Sequence, residues 1–213
     1  MSRTPALRID RAAVRWSAPE DERADRPLLV LLHGYGSNEH DLIGLAPHLP
    51  QEPVLASLRA PIAEAGGHAW FSHASFGDDG PTSEYADAAA RAVLAWLDEQ
   101  TDAPSVGLLG FSQGGAMVLQ LMRSDPARFA YGVQLSGYVV ASGSPDEELA
   151  RIRPPVFWGR GTADTVIEPS SVARTAVWLP EHTNADIRVY DGLAHAISPE
   201  ELVDVAAFIR SRM

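Results

Sequence analysis

The sequence predicts an α/β fold in which a mostly parallel central sheet carries helices on both faces. Two observations lead there. Short apolar runs recur along the chain, at Leu28–Leu32, Val54–Leu58, Val106–Leu109, Tyr131–Leu135, Val156–Trp158 and Ile187–Tyr190. Runs of this length without polar alternation suit strands buried on both faces of a parallel sheet. Helical patterns lie between most of them, and strands alternating with helices make βαβ units.

The elements follow in order. A first strand is expected over Leu7–Trp16, then a charged loop, Ala18–Arg26, that contains Pro19. The run Leu28–Leu32 stops at His33-Gly34. The connection Arg59–Pro81 is long for this architecture, and long loops are often functional. Tyr85, Ala89, Ala92, Val93 and Trp96 recur at helical spacing after Thr82 and Ser83, which suit N-caps. A helix through Met117, Val118 and Leu121 should end before Pro126. Near the C-terminus, Ser198-Pro199-Glu200-Glu201 combines an N-cap, a proline at the first helical position and a capping box. Leu202, Val205, Ala206 and Ile209 follow on one face. Between Leu135-Ser136-Gly137 and Val156 lies only a short stretch, too short for a cap domain, so an open site is expected.

Composition narrows the function. With 213 residues, 46% apolar and 21% charged, the chain reads as one globular domain, 1–213. A formal net charge of −11 argues against nucleic acid and anionic lipid surfaces as partners. There is no cysteine, which removes disulfides, thiolate nucleophiles and thiolate metal sites. Met1–Asp10 has no apolar core of a signal peptide, and no run is long enough to span a bilayer, so a cytoplasmic protein without stable membrane insertion is expected. A homodimer is compatible with the sequence.

In parallel α/β sheets, ligands bind beyond the carboxyl ends of the strands. Just after the run Val106–Leu109 comes Gly110-Phe111-Ser112-Gln113-Gly114, a G-x-S-x-G pattern between a strand and a helix. That context is the one a nucleophile elbow requires. Small residues at its flanks let the chains approach, Ser112 is exposed at the turn, and the Gln113 amide points from a helix N-terminus toward the reaction centre.

A serine nucleophile needs a base. Of seven histidines only His182 and His195 follow Ser112. His195 comes after the last strand and before the capped helix, where the order Ser, acid, His places the base. His182, beside Glu181, reads as a solvated loop residue. The acid expected to orient His195 is Asp164, in the Gly-rich segment Gly159–Asp164 at a strand end. Asp191, four residues before His195, is the competitor.

His33-Gly34-Tyr35-Gly36-Ser37 follows Leu28–Leu32, and an amide from this loop, assigned to Tyr35, together with that of Gln113 would hold a developing oxyanion. His33 itself reads as structural. In the long connection, Trp70 and Phe71 are expected to contact substrate, with Phe76 nearby, although such aromatics equally serve to anchor a loop. His68 and His73 have no carboxylates at ligand spacing, so no metal site is expected.

These residues together resemble a known family. Leu32-His33-Gly34-Tyr35-Gly36, Trp70-Phe71, Gly110-Phe111-Ser112-Gln113-Gly114-Gly115, Leu135-Ser136-Gly137-Tyr138, Gly161-Thr162-Ala163-Asp164 and Gly192-Leu193-Ala194-His195 are similar, in order, to the phospholipase/carboxylesterase family of the α/β-hydrolase superfamily. The resemblance implies a serine hydrolase, without cap domain, metal or cofactor, that cleaves small carboxylic esters or acyl thioesters. It carries over Ser112, Asp164 and His195 as the triad, and Tyr35 and Gln113 as oxyanion donors. Arg160 is an unusual charge beside the acid loop. A peptidase or amidase on the same triad, and a hydrolase-fold binding protein without turnover, are the alternatives.

Overall fold

The structure, a computed structural model, describes residues 7–72, 76–77, 80–81, 83–100, 103–141 and 146–213. Strands and helices alternate along most of the chain. The strands are β1 (Arg15–Trp16), β2 (Leu28–Leu32), β3 (Val54–Leu58), β4 (Ile62–Glu64), β5 (Gly67–Ala69), β6 (Phe76–Gly77), β7 (Gly80–Pro81), β8 (Val106–Phe111), β9 (Tyr131–Leu135), β10 (Pro155–Gly161) and β11 (Asn184–Tyr190). The helices are α1 (Ser83–Gln100), α2 (Gln113–Ser124), α3 (Glu147–Ile152), α4 (Pro169–His182) and α5 (Pro199–Arg210).

Seven strands form the central sheet in the order β1-β3-β2-β8-β9-β10-β11. Every pairing is parallel except that of β1 with β3. The apolar runs explain why. In β2, Leu28, Val30 and Leu32 enter the core shared with α1 and α2, while Leu29 and Leu31 enter the opposite core with Val205, Phe208 and Ile209 of α5. A strand with apolar residues on both pleats belongs in the middle of a sheet covered on both sides. The register β2–β8, with Leu32 opposite Gly110, brings the segments after these two strands together at one edge.

Several expectations need correction. The stretch Leu7–Trp16 is not one strand: Arg11–Ala13 forms a 3-10 turn capped by Asp10, whose carboxylate accepts from the Ala12 amide at 3.0 Å, and only Arg15–Trp16 pairs. The connection Arg59–Pro81 contains the hairpin β4–β5 and the short pair β6–β7. On α1, Ala89, Ala92, Val93 and Trp96 are buried as expected, but Tyr85 is exposed and Ala86, Ala90 and Leu97 complete the buried face. As the edge strand, β11 exposes Ile187 and Val189. Thr82 and His73, and the side chain of Phe76, lie outside the described residues. The capping box of α5 is half made: Ser198 Oγ accepts from the Glu201 amide at 3.0 Å, but the Glu201 carboxyl finds no hydrogen-bond partner in return.

Candidate active site

Ser112 sits between β8 and α2 with φ 56° and ψ −116°, a conformation a side-chain-bearing residue rarely adopts. Close packing around the turn enforces it. A Cβ on Gly110 would lie 2.2 Å from the Gly114 carbonyl oxygen, and one on Gly114 would lie 1.8 Å from that of Leu32. Both positions must be glycine for β8, α2 and the end of β2 to meet. The Ser112 amide donates to the Leu135 carbonyl at 2.8 Å, which ties the turn to β9.

The loops after β10 and β11 bring two more side chains to this point. Ser112 Oγ lies 2.9 Å from His195 Nε2, and His195 Nδ1 lies 2.7 Å from Asp164 Oδ2. An ionised carboxylate only accepts, so Nδ1 carries the proton and Nε2 is left to accept from the serine hydroxyl. Asp164 Oδ1 accepts from the amides of Val166 at 2.9 Å and Ile167 at 3.3 Å. Partial burial pushes the Asp164 pKa up, but the hydrogen bonds from His195 and from these two amides outweigh it and hold the carboxyl below its ordinary value. The Phe111 ring packs against the imidazole with centroids 4.8 Å apart. Asp191 points elsewhere: it accepts from the Thr162 hydroxyl at 3.0 Å, and that hydroxyl accepts from the Gly192 amide at 2.8 Å. The two loops are stitched together by the Ala163 amide, which donates to Leu193 O at 3.0 Å.

The loop after β2 runs beside the serine. A Cβ on Gly34 would lie 3.5 Å from that of Ser112. His33 is fully buried; its Nε2 accepts from the Ala60 amide at 3.1 Å, which leaves Nδ1 to donate to Gly34 O at 2.7 Å. Burial lowers its pKa and keeps it neutral in this bracing role. The Tyr35 hydroxyl donates to Glu64 at 3.0 Å, and the Gly36 amide donates to His68 O at 2.9 Å, so the β4–β5 hairpin braces the loop. Gln113 begins α2, where a main-chain N–H has no partner within the helix.

Trp70 and Phe71 do not form an exposed wall. Both are 0% exposed and belong to the core, and Trp70 Nε1 donates to His33 O at 2.9 Å. The Gln113 side chain clamps them. Its Oε1 accepts from the Trp70 amide at 2.8 Å and its Nε2 donates to Phe71 O at 2.7 Å. That clamp, which ties the long connection to the elbow, was not foreseen from the sequence; a buried glutamine next to the serine was its only signal. His182 is not in a loop either: it ends α4, stacks on Trp178 with centroids 4.5 Å apart and bonds through Nδ1 to Trp178 O. Among the described residues, no three His, Asp or Glu side chains converge as metal ligands would.

Comparison with known proteins agrees with this architecture. Residues 17–213 match the family model described as phospholipase/carboxylesterase. Acyl-protein thioesterase 1 of Eremothecium gossypii is 27% identical over 211 residues, covering 86% of this chain and 87% of the relative. Carboxylesterase SOBER1 of Arabidopsis thaliana is 29% identical over 135 residues, covering 59% of this chain and 58% of the relative. The crystal structure of the Bacillus cereus carboxylesterase superposes with a TM-score of 0.79, at 22% identity and 94% coverage of both chains, a likeness of fold. With nearly the whole length matched, the chain belongs to the phospholipase/carboxylesterase family and has its α/β-hydrolase fold.

Proposed function

We propose that the protein hydrolyses carboxylic esters or acyl thioesters by two-step acyl transfer at Ser112. The observation that supports this most is the unbroken chain from Ser112 Oγ through His195 to Asp164, at 2.9 and 2.7 Å, mounted on a strained elbow. In the first step His195 Nε2 takes the hydroxyl proton as Ser112 Oγ attacks the carbonyl carbon. The electron pair of the C=O bond moves onto its oxygen, and the amides of Gln113 and Tyr35 stabilise the charge that develops there. Asp164 holds the Nδ1–H tautomer and stabilises the imidazolium. The tetrahedral intermediate collapses, the leaving alcohol or thiol takes the proton from His195, and an acyl-serine remains. Water, deprotonated by the same imidazole, then attacks the acyl-serine carbonyl; the second tetrahedral intermediate collapses, the acid leaves, and Ser112 Oγ takes the proton back from His195.

Trp70 and Phe71 act indirectly. Buried and clamped by Gln113, they hold the connection after β3 against the elbow. The bond type is tested by giving the enzyme a matched butyrate ester, thioester and anilide. Ester and thioester turnover at rates at least ~10²-fold above the anilide is expected, since an amine is the poorer leaving group. Preferential anilide cleavage would make the protein an amidase, and no turnover of any of them would remove the enzymatic assignment.

A further inference from the structure

Beyond the triad, the ends of β9 and β10 carry polar groups that the hydrolytic steps do not use. Between these strand ends and α4 lies a cavity of about 330 Å³, walled by Ser136, Trp158, Arg160 and Asp164 on the sheet side and by Ile167 and Val172 on the other. That volume suits part of a small ligand. Ser136 Oγ, Trp158 Nε1 and Arg160 Nε are buried without a hydrogen-bond partner, as are both amide atoms of Gln134, which pairs in register with Trp158. Three of the ten buried unpaired side-chain polar atoms among the described residues thus belong to residues that line the cavity, and the two of Gln134 lie behind them in the sheet. Protein interiors rarely leave such groups unpaired, and a concentration of them beside a cavity marks a place for polar contacts.

Arg160 gives the cavity its sign. Alternation along β10 sets it on the same face as Trp158, and its guanidinium carbon lies 5.5 Å from the Trp158 ring centroid. The chain has 28 acidic residues and 17 basic ones, all of the latter arginine, so carboxylate partners are in excess. Arg160 nonetheless forms no ion pair or hydrogen bond among the described residues. The carboxylate on the same wall, Asp164, has both oxygens committed to His195 and to the Val166 and Ile167 amides. The cation is therefore held, half-buried, on the cavity wall without an ion-pair partner among the described residues.

The cavity is also within a substrate's reach of the nucleophile. The Ser112 amide bonds to Leu135 O and the Ser136 amide to Gly159 O, so Ser112, Ser136 and Arg160 stand at the ends of three successive strands. At ~4.8 Å between neighbouring strands, Arg160 lies roughly 10 Å across the sheet from the elbow.

We propose that this cavity binds a carboxylate carried by the substrate, with the Arg160 guanidinium as its counter-ion, so that the preferred substrates are acid-bearing esters or thioesters. The apolar side, Ile167 and Val172, would pack the methylenes that span the distance. The substrate class rests on the hydrolase assignment above, whereas binding of the carboxylate does not.

The test has two parts. In the first, 4-nitrophenyl monoesters of glutaric, adipic and suberic acid are compared with the same esters capped by methyl at the far carboxyl. Butyrate esters of hydroxy acids, free and methyl-capped, place the charge on the leaving group instead. We expect kcat/KM to favour the free acid over its capped counterpart by at least ~10-fold in one of these arms, the strength of a charge-assisted hydrogen bond. In Arg160→Gln that ratio should fall close to one, and Arg160→Lys should restore part of it. In the second part, binding of free suberate to the Ser112→Ala protein is measured by calorimetry, with and without Arg160→Gln. No acid preference in either arm together with no suberate binding, or a preference that survives Arg160→Gln, overturns the proposal. Suberate binding that depends on Arg160 in a protein that turns over no ester would overturn the hydrolase assignment and leave this site standing.

Discussion

At the scale of single residues, the site depends on which carboxylate faces His195. Asp164 and Asp191 both lie at strand ends and both sit in loops rich in small residues. In the sequence, little but position separated them. The structure separates them by contacts: Asp164 bonds to the imidazole at 2.7 Å, while Asp191 is held by Thr162. Asp164→Asn should therefore lower kcat by at least ~10², because an amide facing Nδ1 favours the wrong tautomer. Asp191→Asn should stay within about threefold of the parent, since it touches no reacting group. Steady-state kinetics on one chromogenic ester measures both, and a larger loss in Asp191→Asn would reverse the assignment. The serine itself was the most legible residue. Its elbow needs glycine on both sides for local steric reasons, and local constraints are written into local sequence. Trp70 and Phe71 were legible as important but not in direction. Aromatic side chains in a long connection look the same whether they face a ligand or the core, and only the Gln113 clamp and their complete burial decide it. Arg160 could be noticed as a charge, but its lack of an ion-pair partner among the described residues is a property of the assembled sheet.

At the scale of elements, the docking of α5 on β10 sets a pH dependence. Glu201, at the third position of α5, is 0% exposed, and a Cβ on Gly159 of β10 would lie 2.0 Å from its Oε1. Burial pushes its pKa up to about 7, well above the ordinary carboxylate range; the Ser198 amide favours the ionised form but lies outside hydrogen-bonding geometry, and the Asp204 carboxylate adds to the rise. An acid raised in the folded state binds its proton more tightly folded than unfolded. Its favourable contribution is complete below about 4.5 and is lost as pH climbs to about 7, a difference on the order of 3 kcal/mol. Glu201→Gln should remove that slope, and at pH 8 it should unfold at a higher denaturant concentration than the parent. A variant less stable than the parent at pH 8 would show that the carboxylate is satisfied when ionised. The capping-box pattern was readable at Ser198–Glu201, but the missing half was not, because it depends on how closely α5 approaches Gly159. Strand positions were readable for a related reason. β2, β3 and β9 coincide with their apolar runs because both pleats are buried, whereas β1 and β11, at the sheet edges, departed from the pattern.

At the scale of the whole molecule, the described residues between β9 and β10 carry one short helix, α3, and nothing of the size of a cap domain. No helix among the described residues is long and apolar enough to cross a membrane. An uncapped elbow needs no lipid surface to open it. The rate on a short-chain ester should therefore rise hyperbolically with concentration and pass its solubility limit without a jump; a jump at the onset of emulsion would point to a mobile cover over the site. The fold was legible at this scale because alternating strands and helices leave few topologies for a right-handed parallel sheet.

The central claim is that Ser112 forms the acyl-enzyme, and the most direct measurement is mass spectrometry of the protein after reaction with a fluorophosphonate, paired with ester hydrolysis by Ser112→Ala. The account predicts one phosphonyl adduct on the peptide that contains Ser112, none in the variant, and a rate lower by ~10³-fold or more. An unlabelled Ser112 in folded protein, or an alanine variant that hydrolyses esters at close to the parent rate, would contradict it.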